Sequence, residues 1–111
     1  MRVGGREVCV YPLDEALGVL AKKWAILIVS VLGNRDRARF SELSRDLIGI
    51  SPRTLTDRLR DLERAGVVDR EVIPAQPIEV RYALTRRGLA LREALLPLVE
   101  WSAETPGRAS R

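Results

Sequence analysis

The 111-residue chain has no histidine, a single cysteine (Cys9), and one residue each of asparagine, glutamine and methionine. Histidine is absent, the one thiol is isolated, and the carboxylates are scattered among arginines where ion pairing explains them, so no set of groups for acid–base or nucleophilic catalysis stands out. It also has no Gly-rich phosphate loop and no spaced set of metal ligands. No cofactor is therefore expected, and an enzyme is the least favoured class. A lone cysteine excludes an intrachain disulfide framework and fits a reducing, cytoplasmic setting. The longest apolar run, Trp24 to Leu32, is about half of what a bilayer span requires. The opening MRVGGREVCV has no apolar core of the signal-peptide kind. Neither feature suggests a membrane partner.

Lysine is scarce too: Lys22 and Lys23 are the only two, so arginine supplies the rest of the 19 basic residues against 15 acidic ones. The net charge of +4 suits a polyanionic partner without requiring one. An apolar share of 46% is ordinary for a globular chain. At this length it predicts one domain with one modest core, spanning residues 1–111.

The periodicity predicts a mainly α fold with a small β-hairpin. N-terminal helices occupy 10–33. The first carries Leu13, Ala16, Leu17 and Leu20 at helical spacing after Pro12. The second runs from about Lys23 to Leu32, is apolar nearly all round, and is stopped by Gly33-Asn34. Over 40–66 two helices follow. Ser41 is the expected N-cap of a short one whose Leu43, Leu47 and Ile48 face inward with Phe40. Gly49 breaks it. Ser51 caps the next helix, Pro52 opens it, and Gly66 stands at its C-terminal stop. A hairpin is expected over 67–85, as strands 67–73 and 78–84 around the turn Pro74-Ala75-Gln76-Pro77. Thr85 then caps a final helix over 86–104, which Pro97 is expected to bend.

The helix after Ser51 raises the functional question. On a helical wheel Leu55, Leu59 and Leu62 form the buried stripe. Arg53, Asp57, Arg60 and Arg64 lie opposite, Thr54 and Thr56 flank them, and Arg58 sits near the stripe. A solvated face with Arg53–Asp57 and Asp57–Arg60 pairs is one reading. A DNA-reading face is the other. The first turn holds Ser51, Arg53 and Thr54, which suit phosphates and base edges, and helix N-termini attract phosphate. The position between a short helix and a hairpin favours the second reading.

Four strings sharpen it: Lys23-Trp24, then R-F-S-E-L (Arg39 to Leu43), then G-I-S-P-R-T-L-T-D-R-L-R-D-L-E (Gly49 to Glu63), then Y-A-L-T-x-x-G (Tyr82 to Gly88). Together they resemble the HxlR-type winged helix-turn-helix transcriptional regulators, from about Pro12 to Trp101. The resemblance implies a homodimer built through the terminal helices that binds double-stranded DNA at a pseudo-palindromic operator. It places Ser51, Pro52, Arg53, Thr54, Thr56, Asp57, Arg58 and Arg60 at the DNA through the recognition helix. Arg39, Ser41, Gln76, Arg81, Arg86 and Arg87 become backbone or wing contacts. The wing departs from the family's usual P-R-V-E-Y, since the matching residues are Ile78 to Tyr82 with acid and base exchanged. Arg81 thus reads either as a phosphate contact or as a partner of Glu79 or Glu71.

Family members often carry Cys-Pro before the first helix. Here Tyr11 aligns with that cysteine, and Cys9 lies two residues earlier. Cys9 is either a redox thiol or an inert residue on a short N-terminal strand. An unknown small-molecule or redox effector is the remaining partner class. The last helix is apolar on more than one face, which a small domain cannot bury alone. Leu91, Leu95, Leu98 and Trp101, with Leu13 and Leu17, are the expected dimer contacts. The competing reading is a dimeric protein-interaction adaptor that keeps the fold and binds no specific DNA. Asp57 and Asp61 on the reading face support it, because unpaired carboxylates repel phosphate.

Overall fold

A computed structural model of the chain describes residues 1–9 and 18–104. Leu13 and Leu17 lie outside the described residues, as does the start of the first expected helix; residues 18–20 are helical. An exposed ribbon comes first: β1 (Arg2–Val3) pairs antiparallel with β2 (Arg6–Glu7).

The central helix α1 (Ala25–Leu32) begins later than the sequence predicts. Trp24 precedes it at φ 79°, a left-handed conformation that strains a bulky residue. The Trp24 carbonyl still accepts the first helical bond, from the Ile28 amide at 2.9 Å. Nor is α1 buried all round. Ala25, Ile28, Val29 and Leu32 enter the core, whereas Leu27 is exposed.

After α1, the bidentate Arg35–Asp46 pair (2.8 and 3.2 Å) and an Arg35–Glu42 bond (3.2 Å) fasten the connection to α2 (Phe40–Asp46). The N-cap of α2 is Arg39 rather than Ser41. The Arg39 amide donates to Glu42 Oε1 at 2.8 Å, so the glutamate does the capping and Ser41 falls within the first turn. This bond, helped by nearby arginines against a desolvation cost, holds the Glu42 carboxyl below its usual range. Leu43 and Leu47 are buried as expected. Ile48 is not: it is 89% exposed. Helix α2 ends at Asp46, and Leu47 leaves helical geometry (φ −105°, ψ 75°), which takes Ile48 off the inward stripe.

Gly49 (φ 94°) makes the tight turn into α3 (Pro52–Arg64), and Gly66 (φ 75°) ends that helix region. Leu55, Leu59 and Leu62 form its buried face. The hairpin β4 (Val68–Ile73) and β5 (Glu79–Leu84) follows, with Val68 opposite Leu84 and Ile73 opposite Glu79. A third strand, β3 (Ala38–Arg39), pairs with the other edge of β5 and gives the order β3-β5-β4. Nothing in so short a segment announces a strand.

Helix α4 (Arg86–Ala103) runs on through Pro97. Thr85 sets its start: the Thr85 hydroxyl accepts from the Gly88 amide at 3.0 Å and donates to the Gly66 carbonyl at 2.6 Å. A Cβ on Gly88 would lie 2.1 Å from the Val67 carbonyl oxygen. The Thr-x-x-Gly string thus butts the helix end against the chain at residues 66 and 67. One cluster of buried side chains joins α1, α2, α3, the sheet and Leu95 of α4. A short helix, a tight turn, a second helix and a hairpin make this a winged helix-turn-helix fold.

Candidate nucleic-acid interface

Helix α3 is built to present its first turn. The Ser51 hydroxyl accepts from the Thr54 amide at 3.1 Å and donates to Thr54 Oγ1 at 2.8 Å. Pro52 at the first helical position has no amide to leave unsatisfied. The Thr56 hydroxyl donates to the Pro52 carbonyl at 2.9 Å. These hydroxyls fix the helix start, and Arg53 projects beside them, exposed.

The face opposite the leucines carries Arg53, Asp57, Arg60 and Arg64, all exposed. The i,i+4 and i,i+3 pairs that the sequence allows do not form. Among the described residues these four side chains have neither an ion pair nor a hydrogen bond. Several other arginines are taken up by carboxylates: Arg35, Arg37, Arg58 and Arg81 each pair, as does Arg39.

Arg58, which the resemblance assigns to the DNA, is engaged within the chain. It is turned to the N-terminal flank, where its Nε donates to the Lys23 carbonyl at 3.1 Å. Its Nη1 contacts Asp61 at 2.7 Å, and Asp61 also accepts from Lys22 at 3.1 Å. The Asp61 side chain is only 17% exposed. Burial opposes its charge, but hydrogen bonds from Lys22 and Arg58 win and hold the carboxyl below its usual range. Asp61 is therefore neutralised within its own chain, by Lys22 and Arg58. The neighbouring Lys23 ammonium stands 5.8 Å from the Trp24 ring centroid. That ring also reaches the helix-turn-helix turn, within 3.9 Å of where a Cβ on Gly49 would lie. The Lys-Lys-Trp stretch is thus a bracket for α3. This function was hidden in the sequence because its partners are distant in the chain.

On the wing, Arg81 pairs with Glu79 at 3.0 Å, one of the alternatives left open by the sequence. Arg39 pairs with the same carboxylate. Both guanidiniums are therefore drawn to the sheet, and Glu71 is occupied by Arg37 at 3.2 Å. Gln76 is exposed in the hairpin turn, beside a cis bond to Pro77. Ser41, Arg86 and Arg87 are exposed, with the Arg87 stem near Gly66 at the end of α3. The sequence did not single out Arg70. It stands on β4 opposite Tyr82, and only the strand register reveals that placement.

Two stripes divide α4. Gly88 and Leu95 are buried, and Leu91 packs against the core. Leu95, at 8% exposure, is spent within its own chain, so it is not free to face a partner. A second stripe carries Ala90, Ala94, Leu98 and Trp101, all exposed. Leu98 is 48% and Trp101 66% exposed. Cys9 is an exposed free thiol beyond β2 rather than a strand residue. Among the described residues no group of three His, Cys, Asp or Glu is placed to hold a metal. No helix there is long and apolar enough to cross a membrane.

The model of a family described as HxlR-like helix-turn-helix matches residues 19–109. Over 91 residues the chain is 42% identical to the uncharacterized HTH-type transcriptional regulator YvaP of Bacillus subtilis, covering 82% of this chain and 83% of that one. It is 34% identical over 90 residues to the HTH-type transcriptional regulator YodB of the same organism, covering 81% and 80%. YodB has been solved in a reduced form and after diamide treatment. A possible HxlR family transcriptional factor from Thermoplasma volcanium superposes with a TM-score of 0.81 at 36% identity, covering 93% of this chain and 92% of that one.

Proposed function

The chain belongs to the HxlR-like helix-turn-helix family of DNA-binding transcriptional regulators, and from that premise we propose that it acts in the cytoplasm as a homodimer on a pseudo-palindromic operator. Each protomer lays α3 in the major groove, with Arg53 at the base edges and the hairpin beside the duplex. The observation that carries this reading is the segregation of arginines. Arg35, Arg37, Arg39, Arg58 and Arg81 are tied to carboxylates, whereas Arg53, Arg60 and Arg64 stand together on the outer face of α3 with no partner among the described residues. Unpaired guanidiniums gathered on one helix face suit a polyanion.

The second copy is argued from the exposed stripe Ala90, Ala94, Leu98 and Trp101. Two small residues followed by two large ones make an apolar strip along one helix face, and apolar area of this kind is costly to leave in water. Two protomers also place two copies of α3 about 34–36 Å apart, one turn of duplex. The adaptor reading keeps Asp57 as its support but loses Asp61, which is neutralised within the chain. For an effector, the exposed Cys9 thiol offers a redox handle. Unaltered DNA affinity after diamide treatment would remove it.

Selection of bound sequences from a random duplex pool, followed across a salt series, tests the proposal. An inverted repeat with half-sites about one turn apart is the expected recovery. Steeply salt-dependent binding without a motif would reduce the protein to a non-specific binder. Absence of binding at low salt would leave the adaptor.

A further inference from the structure

Between α3 and the β4–β5 hairpin lies an open groove of about 440 Å³, lined by Thr56, Leu59, Arg60 and Glu63 from the helix and by Arg70 and Tyr82 from the hairpin. Arg70 and Tyr82 are cross-strand partners, so their side chains share one face of the sheet. Tyr82 is buried and Leu59 fully so, which gives the groove an apolar floor. Arg60 and Arg70 are exposed on either wall, and among the described residues neither is paired. The Tyr82 phenol likewise has no hydrogen bond there.

Resting on the DNA-binding reading, we propose that this groove is a phosphate clamp. One backbone phosphate of the bound duplex sits between the guanidiniums of Arg60 and Arg70, with the Tyr82 hydroxyl as a further donor. Three observations converge on it. Arg60 belongs both to the groove and to the outer face of α3, so a duplex lying on that face brings its backbone to the groove mouth. The other arginines of the sheet, Arg39 and Arg81, are held by Glu79, and Arg37 just before β3 is held by Glu71, which leaves Arg70 as the hairpin's unengaged guanidinium among the described residues. Finally, two fork-shaped cations and a phenol are donors only or donor-capable, a set that suits a tetrahedral oxyanion.

The depression on the opposite flank of α3 provides the contrast. It holds Lys22, Asp57, Arg58, Arg60, Asp61 and Arg64, and Asp61 consumes two of its cations. The wing-side groove contains one carboxylate, Glu63, which is paired with neither arginine. Glu63 opposes the anion and so tempers the clamp. Contacts to phosphate fix the position of a protein on a duplex but read no base. The clamp would lock the angle between α3 and the wing without adding sequence preference.

The test measures duplex affinity across a salt series for the full chain and for Arg70→Ala, Arg60→Ala, the double variant and Glu63→Gln. The duplexes are a selected operator and a scrambled one. Arg70→Ala is expected to bind both about tenfold more weakly, with the slope of log affinity against log salt shallower by about one. The double variant should lose less than the product of the single losses, because both arginines hold one phosphate. Glu63→Gln should tighten binding to both duplexes. Arg70→Lys, which keeps the charge but not the fork, should keep the slope and lose part of the affinity. Unchanged affinity and slope in Arg70→Ala would overturn the clamp while leaving the regulator intact. So would multiplicative losses in the double variant, or a weakening confined to one sequence. A wild-type chain that binds neither duplex at low salt would overturn the underlying DNA reading and the clamp with it.

Discussion

Arg58 Nε donates to the carbonyl oxygen of Lys23 at 3.1 Å, joining the recognition helix to a turn 35 residues earlier in the chain. With the Arg58–Asp61 and Lys22–Asp61 contacts, this bond sets where α3 stands relative to α1. The guanidinium reaches a carbonyl through Nε and a carboxylate through Nη1, a rigid spread of donors that the single nitrogen of an ammonium does not reproduce. Arg58→Ala is expected to lower unfolding free energy by about 1–3 kcal/mol, since the Asp61 carboxylate loses one of its two donors and the Lys23 carbonyl loses the Arg58 bond. Arg58→Lys should recover little of it. Urea unfolding measures both. Base preference should be retained in whatever binding survives, and a selected motif altered at one position would return Arg58 to the reading set.

Asp61 gives that bracket a pH dependence. Its carboxyl pKa is depressed because hydrogen bonds from Lys22 and Arg58 outweigh the cost of burial. A depressed folded-state pKa contributes stability that is complete above the unfolded-state value and is lost as pH falls through the folded-state value. Wild type should therefore exceed Asp61→Asn in stability at neutral pH. The gap should close in acid, below the ordinary aspartate value of about 3.9. Unfolding free energies taken from neutral pH downward decide the point. A gap that does not change with pH would mean that Asp61 acts through shape alone.

Gly88 tolerates no side chain where it stands, because a Cβ would lie 2.1 Å from the Val67 carbonyl oxygen. Gly88→Ala is expected to cost about 3 kcal/mol or more through forced separation of α4 from the start of the hairpin. Gly18→Ala, where a Cβ meets nothing within 4 Å, is the matched control. Thermal unfolding of the two variants side by side makes the comparison, and equal midpoints would refute the close approach.

Leu95 and Leu98 should behave oppositely. Leu95 is in the core, so Leu95→Ala is expected to cost about 2–5 kcal/mol of stability. Leu98→Asp should leave the fold of the single chain intact and shift a dimer towards monomer. Sedimentation across a concentration series reads the second effect. Persistence of the wild-type association constant would place the interface elsewhere.

Arg53→Ala should weaken operator binding and relax base preference, by about 1–3 kcal/mol of discrimination at one position. Its folding should be unaffected, because the side chain is exposed and makes no ion pair among the described residues. Repeating the duplex selection with the variant provides the readout. An unchanged motif would remove Arg53 from the base contacts.

Much of this fold is written locally. Ser51-Pro52 with Thr54, Thr85 with Gly88, and the left-handed Gly49 and Gly66 act within a turn or two, and each was legible as a cap or a stop. The leucine spacing of α3 likewise named its buried face. Local rules failed where a helix ended early or an unexpected group did the capping. Ile48 was expected inside, yet α2 stops at Asp46, and the backbone of Leu47 turns the next side chain outward. Ser41 was expected as a cap, but the longer reach of Glu42 satisfied the Arg39 amide instead.

The candidate interface was less legible than the fold. Periodicity established that arginines gather on α3, but charge pattern alone cannot tell a free guanidinium from a paired one. That depends on distance between segments far apart in the chain. Asp61 found Lys22 across 39 residues, Glu71 found Arg37 across 34, and Arg58 found the Lys23 carbonyl across 35. Strand register brought Arg70 beside Tyr82, and β3 took the open edge of β5. The sequence by itself determined the caps of α3 and α4, the hairpin and the family, because these rest on patterns read within a few residues. The tertiary structure alone decided which arginines remain available to a polyanion, and which stripe of α4 is buried in its own chain and which is left on the surface. Ion pairing and packing depend on distances that exist only once the segments are folded together.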